Sequence, residues 1–137
     1  MALGYSTTLR NAQLNQITST VGSAGLLRIY QGTKPSTIGG SDASSTLLSQ
    51  NTLGSPFAAA AASGVLTLGT ITNTSAVATG TAQWARIQTS GGTQVIDMTV
   101  STQAAGTGDL QLNDTSIVSG GTVAVSIGTI TAGNSTA

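Results

Sequence analysis

Few side chains here can do chemistry. Four Lys and Arg face four Asp, with no Glu, His or Cys, so 6% of the 137 residues carry charge, against about 25% in ordinary domains. Ser and Thr hydroxyls are plentiful, yet a hydroxyl nucleophile needs a base beside it, most often His. The one lysine, Lys34, precedes Pro35 in a turn-like stretch and reads as a solvated loop cation. Asp97, Asp109 and Asp114 form the carboxylate set for acid–base work. Asp97 lies mid-strand between Ile96 and Met98, where it faces solvent or bonds a neighbouring strand. Asp109 and Asp114 lie at turns, where Asp side chains bond nearby backbone N–H groups. With Asn113 they could supply a weak calcium site, but they lack the spacing of a calcium loop. Gly106-Thr107-Gly108 lacks the following lysine and helix of a phosphate loop. No catalytic, cofactor-binding or metal-binding residue is therefore expected, and the chain reads as a non-enzyme with no cofactor.

Charge balance excludes other classes of partner. With no basic stripe, nucleic-acid binding through phosphate neutralisation is not expected. The longest apolar run, Phe57 to Ala62, is mostly alanine and far below the ~20 residues of a membrane span. Met1 to Arg10 carries no basic region followed by an apolar one, so a soluble chain made without an export signal is expected. Asn-Xaa-Ser/Thr triplets at Asn73, Asn113 and Asn134 matter only in a secretory pathway. A net charge of zero favours contact between molecules. Few ionisable groups and a thin apolar complement point to a component of an assembly, stabilised in part by burial against neighbours.

The elements that must position these residues are mostly strands. Ser6, Thr7 or Thr8 can cap a helix over 9–21, with Leu14, Ile17 and Val21 on one face and Gly22 as the stop. Residues 1–8 form a candidate N-terminal arm. Beyond it, strand-like runs cover Leu26–Gln31, Thr46–Leu53, Val65–Thr72, Gln83–Thr89, Gln94–Val100, Leu110–Leu112, Ser116–Val118 and Val123–Ile127. A polar loop over 38–45 separates the first two. Ser90-Gly91-Gly92-Thr93 reads as a hairpin connection that accepts positive φ, and Asn113-Asp114 as a second turn. Phe57–Ala62 reads as irregular or an edge strand, and the repeat of Gly-Thr-Ile-Thr at 69–72 and 128–131 as chance. No later stretch suits a crossover helix, which disfavours a parallel sheet. The expectation is one β-rich domain over 1–137, mainly β, an antiparallel β-sandwich or jelly-roll-like barrel with one short N-terminal helix.

The aromatics Tyr5, Tyr30, Phe57 and Trp84 are too scattered along the chain to suggest a stacking platform or sugar tray. Trp84 is expected as a core or subunit-contact anchor. Arg86, on the same strand face, could stack on it, pair across an interface, or stay solvated. With Leu3, Tyr5 and Arg10 these two residues make up the candidate interface set.

The capped helix containing Leu9-Arg10-Asn11-Ala12, then Gly25-Leu26-Leu27-Arg28-Ile29-Tyr30-Gln31-Gly32 with Pro35 behind it, resembles small structural proteins of tailed bacteriophages. So do Trp84-Ala85-Arg86-Ile87, the Gly91-Gly92 turn, Val95-Ile96-Asp97, and the closing Ile117-Val118-Ser119-Gly120-Gly121-Thr122-Val123. The pattern is similar to that of capsid decoration, or cement, proteins and spans most of the chain through short structural motifs. The resemblance implies a non-enzymatic virion protein on the capsid exterior, made in the bacterial host cytoplasm. It would bridge subunits of the major capsid protein as a homo-oligomer, with a terminal arm reaching neighbours. A trimer is favoured over a dimer because local threefold positions on icosahedral shells are natural docking points. The alternative is a tail, collar or fibre component, or, from another class, a receptor- or carbohydrate-binding β-sandwich.

Overall fold

A computed structural model describes residues 4–69, 71–72 and 74–131. Helix α1 spans Thr7–Val21. Ser6 caps it, its hydroxyl accepting from the Leu9 backbone N–H at 3.2 Å, and Gly22 at φ 70 ends it by donating to the Thr18 carbonyl at 3.1 Å. Thr7 and Thr8 thus belong to the helix rather than to an arm. Leu14 and Val21 are buried and Ile17 packs beside them, so the 3.6-residue period delivers the expected face to the core.

Eleven strands follow among the described residues: β1 (Leu26–Gln31), β2 (Thr46–Thr52), β3 (Val65–Thr67), β4 (Thr74–Ser75), β5 (Gly80–Thr81), β6 (Trp84–Gln88), β7 (Gln94–Thr102), β8 (Leu110–Leu112), β9 (Ser116–Ile117), β10 (Thr122–Val123) and β11 (Val125–Thr131). Seven of them form one sheet in the order β2-β1-β6-β7-β8-β11-β3, and β10-β4 and β5-β9 make two short ladders. The result is a mainly β, sandwich-like fold with one helix.

The sheet is mixed rather than antiparallel, because β7 and β8 run parallel with Val100 opposite Leu110. No crossover helix is needed. After Thr102 the chain doubles back through Gly106 at φ 65 and comes forward again at Gly108. A Cβ at Gly108 would lie 2.5 Å from the Ser101 nitrogen and 2.8 Å from the Val100 carbonyl carbon, so only glycine allows that approach. The expected 123–127 strand is likewise split at Ala124: Val123 pairs with Thr74, whereas Val125 pairs with Leu112. Alternation of period two is a local pattern and fits either ladder.

The β6–β7 hairpin forms where expected. Gly92, at φ 93, donates to the Thr89 carbonyl at 2.9 Å. Just beyond β2, Leu53 forms an antiparallel bridge with Ile71, which follows β3. Asn51, buried on the core side opposite Leu27, donates its amide to the Thr72 carbonyl at 2.9 Å. The residues following β3 thereby cover the outer edge of β2. Leu27, Ile29, Leu48, Ala85, Ile87 and Met98 on the inner face join α1, Phe57 and Leu66 in one buried cluster.

A candidate functional site beneath the 32–45 strap

In β6 all five residues are buried, although a strand with one wet face would show alternation. Ala85 and Ile87 face the core. Trp84, Arg86 and Gln88 face the other way, alongside Leu26, Arg28 and Tyr30 of β1, which stand opposite Gln88, Arg86 and Trp84. What covers this second face is the β1–β2 connection, residues 32–45, folded back over the sheet as a strap. Its ends meet: Gly32, at φ 130, lies so close to Ser45 that a Cβ there would be 2.7 Å from the Ser45 hydroxyl.

Three side chains of the sheet hold the strap. The Tyr30 hydroxyl donates to Asp42 Oδ2 at 2.6 Å, the Trp84 indole N–H to the Ser45 hydroxyl at 3.1 Å, and Arg86 Nη2 to the Gly40 carbonyl at 2.9 Å. Tyr30 and Trp84 are stacked with ring centres 4.3 Å apart and planes 10° from parallel. The Arg86 guanidinium lies 5.1 Å from the Trp84 ring centre and that of Arg28 lies 5.6 Å from Tyr30. Arg86 also forms a two-pronged pair with Asp97 of β7, Nε to Oδ1 at 2.7 Å and Nη2 to Oδ2 at 3.0 Å. The two side chains are only 3% and 0% exposed. Breaking such a pair by removing one partner costs about 3–5 kcal/mol, because the survivor is left as an uncompensated buried charge.

The electrostatics agree with this geometry. Hydrogen bonding to Asp97 raises Arg86 further above its ordinary value and outweighs desolvation. Burial, reinforced by the bond to Asp42, pushes the Tyr30 phenol up to about 12. The Tyr30 hydroxyl first, then a bond from Asp42's own backbone N–H and the Arg86 and Arg28 charges, hold Asp42 below the usual carboxylate range against the opposing effect of burial. Tyr30 therefore stays a donor and Asp42 an acceptor throughout the neutral range. Tyr30, Trp84, Arg86 and Asp97 thus form a charged and aromatic cluster that fixes a surface loop.

Tyr30 and Trp84, distant in sequence, are thus brought together, a correction to the view that the aromatics are scattered. Both are sealed from solvent, so the stack offers no face to a sugar ring. Trp84 and Arg86, two of the candidate interface residues, are each enclosed by their own chain, Trp84 stacked on Tyr30 and Arg86 paired with Asp97. Of the other interface residues, Leu3 lies outside the described residues and Tyr5 is half-buried. Arg10 is half-buried against Gly64, where a Cβ would collide with its guanidinium. Asn11 and Asn15, one and five positions further along α1, accept from the backbone N–H groups of Gly64 and Ala61 at 2.9 and 2.8 Å. These asparagines clip the alanine run to the helix. Their spacing of four, which puts both on one helix face, is the sequence signal that marks them.

The carboxylates outside the cluster have structural partners. Asp109 accepts from the Thr99 hydroxyl at 3.1 Å, and Asp114 from the Ser116 backbone N–H at 2.8 Å, the turn role expected of it. Among the described residues no three His, Cys, Asp or Glu side chains gather as metal ligands, and no helix is long and apolar enough to cross a membrane. Compared with family models, curated proteins and solved structures, the chain finds no match.

Proposed function

We propose that the chain is a non-enzymatic virion structural protein that decorates the exterior of a phage capsid and bridges neighbouring subunits of the major capsid protein. The observation that carries this reading is where the scarce charge sits. Arg86 and Asp97 are paired in the interior and Asp42, within the strap, is bound by the Tyr30 hydroxyl, while Lys34, Asp109 and Asp114 are exposed, the two aspartates engaged by a hydroxyl and a backbone amide. Around these few charges the outer surface is rich in Thr, Ser and Gly, suited to lasting contact through neutral hydrogen bonds and apolar burial. A loop fixed by buried tethers also suits a docking role, since little ordering entropy remains to be lost on contact.

The mechanism that follows is cooperative. Burial across several capsid subunits means that shell expansion must break many contacts together. Adding the purified protein to capsids that lack it should raise their rupture temperature in scanning calorimetry. An unchanged rupture temperature removes the stabilising role, and labelled protein on the tail instead of the head in micrographs moves the assignment to a tail component.

A further inference from the structure

Strand β8 is short for its place in the sheet. It has three residues, set between nine in β7 and seven in β11. Residues 110–112 pair with 100–102 on one side and with 125–128 on the other. Residues 94–99 of β7 and 129–131 of β11 therefore run on past the start of β8, with no strand between them among the described residues. The chain does not enter β8 along this gap, because Gly108 comes in over β7 at Val100 and Ser101. Edges on either side of one missing strand stand about 9.6 Å apart. A cavity of about 210 Å³ lies there, lined by Ile96, Asp97, Met98, Asp109, Thr129 and Ile130.

Backbone groups face each other across the gap. Val100 donates to the Gln83 carbonyl, so in this antiparallel ladder Met98 and Ile96 also bond β6, while Thr99 and Asp97 turn their N–H and C=O groups the other way. Leu68 donates to the Gly128 carbonyl, and by the same alternation Thr129 and Thr131 turn theirs away from β3. Asp109 takes the two nearest donors, the Thr99 N–H with its carboxylate at 3.3 Å and the Thr129 N–H with its carbonyl at 3.4 Å. Beyond it, the main-chain groups of Asp97 and Thr131 that face the gap have no partner among the described residues. Ile96 and Ile130 share the core face with their ladder partners Ile87 and Leu66, yet both stay part-exposed at the lips of the gap. Helix α1 packs on both β3 and β7 and so floors the gap on the core side.

We propose that this gap receives an extended segment of a partner polypeptide, which completes the sheet by pairing with β7 on one side and β11 on the other. An extended backbone satisfies both open edges at once. The segment runs opposite to β7, because the longer open edge then gains the stronger, antiparallel pairing. Its apolar residues, at alternate positions, pack on Ile96 and Ile130. Its leading residue lies beside Asp109 and is Lys or Arg. Asp97 is already held by Arg86, which leaves Asp109 as the lining charge with no cation beside it among the described residues. The inference does not rest on the capsid role, and the isolated chain tests it.

The probe is an end-blocked hexapeptide of alternating valine and threonine led by lysine, titrated into the isotope-labelled full chain and followed by NMR. Amide signals of residues 96–99 and 129–131 should shift saturably. Exchange of the Asp97 N–H with solvent should slow by at least about tenfold as it gains a partner. A version with proline at its two central positions, which cannot donate to the ladder, should not bind. A glutamate-led version should bind about three- to tenfold more weakly than the lysine-led one. Asp109→Asn, which keeps the oxygen that accepts from Thr99, should bind the two alike. No saturable binding up to the solubility limit overturns the proposal, as do shifts confined to another part of the molecule or a proline peptide that binds equally well. Equal binding of the lysine-led and glutamate-led peptides by the unaltered chain overturns the place given to Asp109.

Discussion

Tyr30 shows how much one side chain does here. It stacks on Trp84, lies beneath Arg28 and ties down Asp42, and its phenol is raised from the ordinary 10.0 to about 12 by burial first and the Asp42 bond second. The folded state therefore holds the phenolic proton more tightly than the unfolded one. The stability this confers is complete below about pH 10 and drains away as pH rises towards about 12. Asp42 works in the opposite sense. Its folded value lies below the ordinary 3.8, so its contribution is present above that value and is lost as pH falls through the lower folded one. Tyr30→Phe removes the leading cause of the Asp42 shift and the ionisable group itself. It should cost about 1.5–3 kcal/mol at neutral pH, the worth of a hydrogen bond to a charged acceptor. It should also flatten the stability profile at both extremes. Denaturant titrations across pH measure this directly, and phenolate absorbance in a Tyr5→Phe background follows Tyr30 alone. A variant that keeps the full alkaline loss would show that Tyr30 is not its source.

At the level of elements, the outcome turned on whether the deciding force was local. The helix over Leu14, Ile17 and Val21, the strand Leu26–Gln31 and the Gly92 hairpin were legible because propensity, period and turn chemistry agree there. The parallel β7–β8 pair was not. Its cause is a close backbone approach at Gly108, and a glycine in a Gly-Thr-Gly run gives no hint of what it must pass. The strap site was half legible: Trp84 and Arg86 stand out in the sequence and share a strand face, but nothing local shows what covers that face. Only the long-range bonds to Gly40, Asp42 and Ser45 reveal that the face is roofed. Gly108→Ala tests the first of these points. The added methyl meets main chain on both sides, which cannot move as a side-chain tip would, so a loss of about 3 kcal/mol is expected. Gly91→Ala, whose Cβ would meet nothing nearer than the Thr89 hydroxyl at 3.8 Å, should change stability by no more than about 0.5 kcal/mol. Equal losses in chemical denaturation would show that the Gly108 approach does not hold the parallel pair.

For the whole molecule, the poverty of charge and its placement set the response to salt. The one ion pair among the described residues, Arg86–Asp97, is enclosed, and screening by mobile ions acts weakly on buried pairs. Net charge is zero, so there is no global repulsion for salt to relieve either. Folding stability should therefore be nearly flat between low and molar sodium chloride, the midpoint of thermal unfolding moving by no more than a few degrees. Scanning calorimetry of the full chain across the salt series measures this response directly. A fold whose stability falls steeply with salt would mean that exposed ion pairs, and not the roofed cluster, carry its electrostatic stabilisation.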